Sequence, residues 1–377
     1  MNKKIAILTQ PLHDNYGGLL QAYALSKTLK DLGNEVLIVD RRSGHSSTIR
    51  KIASKIKHFF LGNKTHKKFT SKQQFIVSQY TLKFRKKYLP NTTHEITDNR
   101  GMSELNKMGF DAYVVGSDQC WRPRYSPNIT NYFLDFVEAQ NNIKRIAYAA
   151  SFGTADWEFT AKDTEACKAL IQKFDAVSVR EDSGIHLCKK YLNTDADHVL
   201  DPTMLLLPDD YKTITKQENQ TKSNGNLKVY ILDKTSQKLD LIKYIEKKID
   251  LKHFEVMPQN RLGHEKIVNI EDYVFPAPEA WLRGYEDAKF VVADSFHGTV
   301  FAILYNVPFI AIGNKNRGMA RFESLLRMFE LEDRLITDFE AENIDNILKS
   351  CIDWNKVNNI LEEKRQYALN FLKDNLN

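Results

Sequence analysis

Three side chains of complementary chemistry stand in one turn, Asp294-Ser295-Phe296-His297-Gly298. Apolar runs flank it: Phe290–Ala293 before, then residues 299–305 and 308–312. A β-branched and aromatic run, a short apolar helix and another such run read as a βαβ unit of a buried parallel sheet. Open α/β sheets bind ligands at the carboxyl ends of their strands, which is where this turn falls. A histidine there can move a proton near neutral pH, with a hydroxyl and a carboxylate to orient it. The same residues also allow a plainer arrangement, in which Asp294 and Ser295 cap the helix and His297 faces solvent.

Other strand ends carry polar residues too. The run 111–115 leads into Gly116-Ser117-Asp118-Gln119-Cys120-Trp121. A hydroxyl, a carboxylate, an amide and an indole suit a polyhydroxylated ligand; a capped turn over a core Trp121 is the alternative. Residues 146–150 feed Ser151-Phe152-Gly153, and Ala176–Val179 feeds Arg180-Glu181-Asp182-Ser183. An arginine at such an edge can fork onto a carboxylate or phosphate, or pair with Glu181 or Asp201 as scaffolding. Near the start, a strand over 4–9 meets a loop with Asp14, Asn15, Gly17 and Gly18, and a helix over 19–32 stops at Gly33. Backbone N–H groups at that helix opening can face an anion, although the spacing is not the dinucleotide fingerprint GxGxxG.

The elements that must hold these turns alternate strand and helix in two blocks. At 377 residues the chain exceeds one typical core, so two α/β domains are expected. The first covers 1–212, a polar linker covers 213–226, the second domain covers 227–350, and a charged helix over 351–377 packs back on the first domain. Composition is that of a soluble globular protein, 42% hydrophobic and 27% charged. The start is too short in apolar residues for a signal peptide, and no run reaches membrane-spanning length. Cys120, Cys167, Cys188 and Cys351 lack metal or disulfide spacing, as in a reducing cytoplasm. No metal site is expected, because Asp118 and Asp294 show no ligand spacing.

The net charge of +6 is uneven. Residues 41–90 hold 14 Lys and Arg and no acid, so the remainder has 54 − 14 = 40 bases against 48 acids. Helices over 48–61 and 71–88 are expected in this insertion. Without a nucleic-acid motif it does not indicate nucleic acid; a solvated insertion or attraction to anionic lipid headgroups fits better.

The chain resembles the polysaccharide pyruvyl transferase family in six stretches taken in order: ILTQPLHDNYGGLLQAYAL, DAYVVGSDQCW, IAYAASFG, AVSVREDSG, VLDPT and VVADSFHGTVFAILYNVPFIAI. The likeness runs from residue 4 to about 322. It implies two Rossmann-like domains with parallel sheets, GT-B-like, and an active-site cleft between them. It also implies transfer of a pyruvyl group from phosphoenolpyruvate onto two hydroxyls of a saccharide, in cell-surface polysaccharide biosynthesis. The product is a cyclic ketal and phosphate, with no cofactor beyond the donor substrate. His297 is then the acid–base group, oriented by Ser295 and Asp294, and Asp118 a second base. Arg180, Ser295, Gly298 and Arg317 or Arg321 meet the donor; Asn15, Gly17, Gln119, Trp121 and Ser151 meet the acceptor. The family's turn commonly reads Ser-x-Arg-Leu-His, with an arginine that helps hold the donor, whereas Ser295-Phe296-His297 has none. Arg317 or Arg321 then supplies that charge, or the donor differs. A lipid-linked acceptor would place the protein in the cytoplasm, peripheral to the inner membrane face, with 41–90 as the contact. Two alternatives are a GT-B glycosyltransferase using a nucleotide-sugar and a non-catalytic saccharide-binding member.

Overall fold

A computed structural model describes residues 2–44, 69–138, 142–263, 267–313 and 318–377. Two parallel sheets form, each covered by helices on both faces. The first contains β1 (Lys4–Leu8), β2 (Glu35–Val39), β3 (Ala112–Val115), β4 (Lys144–Ala150), β5 (Ala176–Val179) and β6 (Asp197–His198) in the order β2-β1-β3-β4-β5-β6. The second contains β7 (Leu227–Tyr230), β8 (His253–Glu255), β9 (Phe290–Ala293), β10 (Phe309–Ile312) and β11 (Leu335–Ile336) in the order β11-β10-β9-β7-β8. Strand order therefore reverses between β1 and β3 and between β7 and β9, and such reversals open crevices at carboxyl ends.

The strands are buried because they are nearly continuous apolar runs; every residue of β3, β7, β9 and β10 is buried. Helix α1 (Tyr16–Asp31) begins where Asn15 Oδ1 accepts from Gly18 N, and its chain turns away at Gly33 with φ +87°. Helix α2 (Pro208–Gln217) starts the connection between the sheets, so residues 213–217 are helical and an irregular stretch follows. Helices α3 (Ser236–Ile249), α4 (Pro278–Asp287), α5 (Phe296–Leu304), α6 (Met319–Met328) and α7 (Ala341–Lys349) complete the second domain. The last helix, α8 (Trp354–Leu376), crosses to the first: Phe371 packs on Tyr148 and Arg365 Nε donates to Met204 O at 2.9 Å.

One core joins the two domains, with the Tyr16, Tyr230 and Trp281 rings packed together. The helix expected over 71–88 is broken in two, Ser71–Val77 and Gln79–Tyr88. At the break Ser78 Oγ donates to Asp14 Oδ2 at 2.9 Å, a tertiary bond that helical periodicity does not reveal. The helix expected over 48–61 lies outside the described residues. Several basic residues of 41–90 belong to the fold: Arg42 and Arg85 pair with buried Asp40, and Lys83 and Lys87 with Glu218. Among the described residues no helix is long and apolar enough to cross a membrane.

Candidate active site

The strand-order reversal of the first sheet is locked by polar bonds. Gln21 Nε2 donates to Thr9 Oγ1 at 2.7 Å, Thr9 Oγ1 to Ser117 O at 3.0 Å, and Ser117 N to Gln21 Oε1 at 3.1 Å. A β-carbon on Gly116 would lie 2.0 Å from Tyr148 O, so only glycine lets β3 turn there. Asp118 follows in the left-handed region at φ 64°, which short polar side chains tolerate. This turn aims its carboxylate at Arg180, whose Nη2 lies 3.2 Å from Asp118 Oδ1. Arg180 Nη1 donates to Asp201 Oδ2 at 2.8 Å, and Asp201 Oδ1 accepts from Thr203 N and Oγ1.

The second domain completes this row. His297 Nε2 stands 3.4 Å from Asp201 Oδ2, at ion-pair distance but with no hydrogen bond formed. Its Nδ1 side rests on Gly17 at the start of α1: a β-carbon on Gly17 would be 2.1 Å away. The Phe296 ring lies 4.4 Å from the Arg180 guanidinium and 5.9 Å from that of Arg321, a distance at which cation–π attraction holds both. Asp118, Arg180, Asp201, His297 and Arg321 are all buried. Burial raises the Asp118 carboxyl, but Arg180, then His297 and Arg321, bring it below its usual range. Burial likewise opposes ionisation of Asp201, and His297 and Arg180 outweigh it, so Asp201 is held well below its usual range. Burial disfavours the Arg180 cation, and Asp118 and Asp201 more than compensate, raising its pKa. Burial and the neighbouring Arg180 pull Arg321 down to about 10, still cationic at neutral pH. A polar cavity of about 580 Å³ opens beside Asp118, bordered by Gln10, Asn15, Arg42, Gln119 and Tyr125. Among the described residues no three His, Cys, Asp or Glu side chains gather as metal ligands.

The sequence model of polysaccharide pyruvyl transferases matches residues 15–316, which includes every residue of this row except Arg321. The chain belongs to the polysaccharide pyruvyl transferase family. No curated protein matches it in sequence. Solved structures resemble this pyruvyl transferase family member in fold. Arabidopsis thaliana UGT89C1 complexed with UDP-L-rhamnose has 10% identity, coverage of 100% of both chains and a TM-score of 0.54. The UDP-GlcNAc 2-epimerase of Neisseria meningitidis bound to UDP-GlcNAc has 10% identity, covers 98% of this chain and 100% of its own, and scores 0.52. Its Methanocaldococcus jannaschii counterpart has 11% identity, 93% coverage of each chain and a TM-score of 0.50. The fold of this transferase family member is thus GT-B-like, two parallel-sheet α/β domains.

Several expected roles fall elsewhere. Trp121, expected at the acceptor, is fully buried, stacked on Phe133 at 4.9 Å with Nε1 donating to Tyr132 O, so it is a core residue. Ser151 is also fully buried; its Oγ donates to Glu181 Oε1, which fixes the loop through Phe152 N and Gly153 N as well. Gly17 meets His297 rather than the polar cavity, while Asn15 and Gln119 do border that cavity. Gly298 packs α5 onto Ala293 and Tyr230. Asp294 does not orient His297: its carboxylate accepts from Leu232 N, Asp233 N and Lys238 Nζ at 2.5, 3.0 and 2.6 Å. Ser295 makes no side-chain cap bond to α5. Arg317 lies outside the described residues. Asp201 enters the sequence reading only as one possible scaffold partner of Arg180, although the stretch VLDPT, one strand end after Arg180, carries the signal.

Proposed function

We propose that the protein transfers the pyruvyl group of phosphoenolpyruvate onto two hydroxyls of a saccharide. The observation that carries this reading is the buried row Asp118–Arg180–Asp201–His297, assembled across the domain seam with Arg321 beside it. Arg180 and Arg321 meet the donor's carboxylate and phosphate; Arg180 Nε is buried with no acceptor among the described residues, and the donor supplies one. Asp118, kept ionised, borders the polar cavity and takes the proton of the attacking hydroxyl. That oxygen bonds to the central carbon of the enol phosphate while His297 gives a proton to the methylene carbon, which becomes a methyl group. The second hydroxyl then bonds to the same carbon as the carbon–oxygen bond to phosphate breaks. Its proton passes back to His297, Asp118 gives the proton it holds to the departing phosphate, and the ketal and hydrogen phosphate leave. Phe296 takes the place of the family's turn arginine and steadies the two guanidiniums that do its work.

The acceptor is proposed to ride on a lipid diphosphate, with the basic stretch 41–90 attracted to an anionic surface. Co-sedimentation with anionic but not neutral vesicles tests that part. A nucleotide-sugar donor is the weaker reading. The N–H groups at the strand-order reversal of the second sheet already bind the Asp294 carboxylate, so a phosphate does not find them free. Calorimetric titration of phosphoenolpyruvate decides between the two. Saturable binding weakened about a hundredfold in Arg180→Ala is expected, as for loss of a charged fork. Heat from a nucleotide-sugar and silence with phosphoenolpyruvate would overturn the proposal.

A further inference from the structure

The polar cavity beside Asp118 has a neighbour of different character. Behind the amino end of α1, a second cavity of about 480 Å³ opens between the domains, and His13 and Asn15 border both. Tyr16 of the first domain and Tyr230 of the second floor it, ring centroids 6.4 Å apart. Phe275 stands edge-on to Tyr16 at 6.2 Å, and Phe69 meets Tyr273 edge to face at 5.7 Å. Its few directional groups include Asn260 and Arg261, an exposed side chain that donates to Ile231 O at 3.4 Å. The floor is continuous with the supports of His297. Gly17, next to Tyr16, touches the imidazole, and the Tyr230 ring limits Gly298, next to His297.

The chemistry of these walls narrows the occupant. A hydrocarbon chain needs no amide or guanidinium, and an anion meets the Asp14 carboxylate here beside one solvated guanidinium. A pyranose offers a C–H face to aromatic rings and hydroxyls to Asn260, Arg261 and Asn15. The volume lies within the range of about 300–1,000 Å³ usual for small-ligand sites. We propose that this cavity binds the saccharide unit adjoining the one that receives the pyruvyl group. The acceptor is then recognised as an oligosaccharide of at least two units. This rests on the pyruvyl-transfer reading, because it takes the cavity beside Asp118 as the place of the modified unit.

The test is a glycan array of immobilised mono-, di- and trisaccharides, probed with labelled full-length protein and with Tyr273→Ala and Arg261→Ala. The exposed arginine variant guards against misfolding of the tyrosine variant. Wild type should bind di- and trisaccharides about tenfold more tightly than their single units, a gain the size of one or two ring contacts. Both variants should lose that gain and keep single-unit binding. Saccharide binding without a length preference, or a preference intact in both variants, overturns the inference and leaves the pyruvyl-transfer reading standing. Binding of uridine diphosphate or a polyprenyl phosphate that Tyr273→Ala abolishes would reassign the cavity and overturn it as well. An array that captures no saccharide of any length sinks both.

Discussion

His297 owes its position to a neighbour without a side chain. A β-carbon on Gly17 would lie 2.1 Å from its Nδ1 and 2.4 Å from its Cγ, so any larger residue displaces the ring. Alanine otherwise suits a helix better than glycine. Gly17→Ala should nevertheless lower stability by about 1–3 kcal/mol, because the clash reaches His297 Cβ as well as the ring, and cut kcat about a hundredfold, the cost of a shift of about 1 Å in an aligned site. Parallel melts and turnover assays check this, and unchanged turnover would remove His297 from the chemical step. Asp201 makes the opposite case, since it is held by charge. Its folded pKa is depressed, so its stabilisation is complete above the unfolded value of about 3.9 and is lost as pH falls below it. Asp201→Asn should cost about 3 kcal/mol at pH 7, as for one broken buried ion pair. Urea melts should show that deficit shrinking below about pH 4. A deficit that ignores pH would mean that packing, not charge, is what Asp201 supplies.

Helix α5 is buried along its whole length, and glycine at position 298 lets it lie close to the sheet. A β-carbon there would come within 2.8 Å of Ala293 Cβ and 2.9 Å of the Tyr230 ring. Gly298→Ala should thus lower stability by about 1–3 kcal/mol through overpacking and lower turnover with it. Lys228 marks β7 in another way: it is fully buried, its Nζ donates to Trp281 O at 3.0 Å, and burial pulls its pKa down to about 7. Against an unfolded value of about 10.4, the native state binds fewer protons between those limits, so stability rises with pH from about 7 to 10. Lys228→Met should flatten that rise; an unaltered slope would assign it to other groups. The sheets were legible because their strands are unbroken apolar runs, and Asp118, Arg180 and His297 because they follow such runs at carboxyl ends. Their partners were not legible. Asp294 is claimed by Lys238 from another helix, Trp121 by a stack on Phe133, and Asp201 meets His297 only once the domains touch. Neither periodicity nor spacing encodes such long-range pairings.

The row of charged groups exists only in the closed molecule, since Asp118, Arg180 and Asp201 come from one domain and His297 and Arg321 from the other. The seam that holds them together has a weak part and a strict part. Arg327 pairs with Asp182 in the open, and such exposed pairs contribute under about 1 kcal/mol. Gly318 is strict: its φ is +96°, and a β-carbon there would lie 1.8 Å from Gly153 O of the first domain. Gly153 cannot retreat, because its N–H donates to buried Glu181 and its own φ is +79°. Gly318→Ala combines an unfavourable backbone with a wedge between the domains. It should raise the radius of gyration in small-angle scattering and lower kcat at least about tenfold by misaligning His297 against the donor. On the proposed pyruvyl-transfer reading phosphoenolpyruvate should also bind more weakly, since Arg321 lies three residues beyond the wedge and moves with it, while Arg327→Ala changes neither shape nor turnover. Should Gly318→Ala keep both the scattering curve and kcat of wild type, the reacting groups do not depend on this closure, and the row across the seam loses its place in the mechanism.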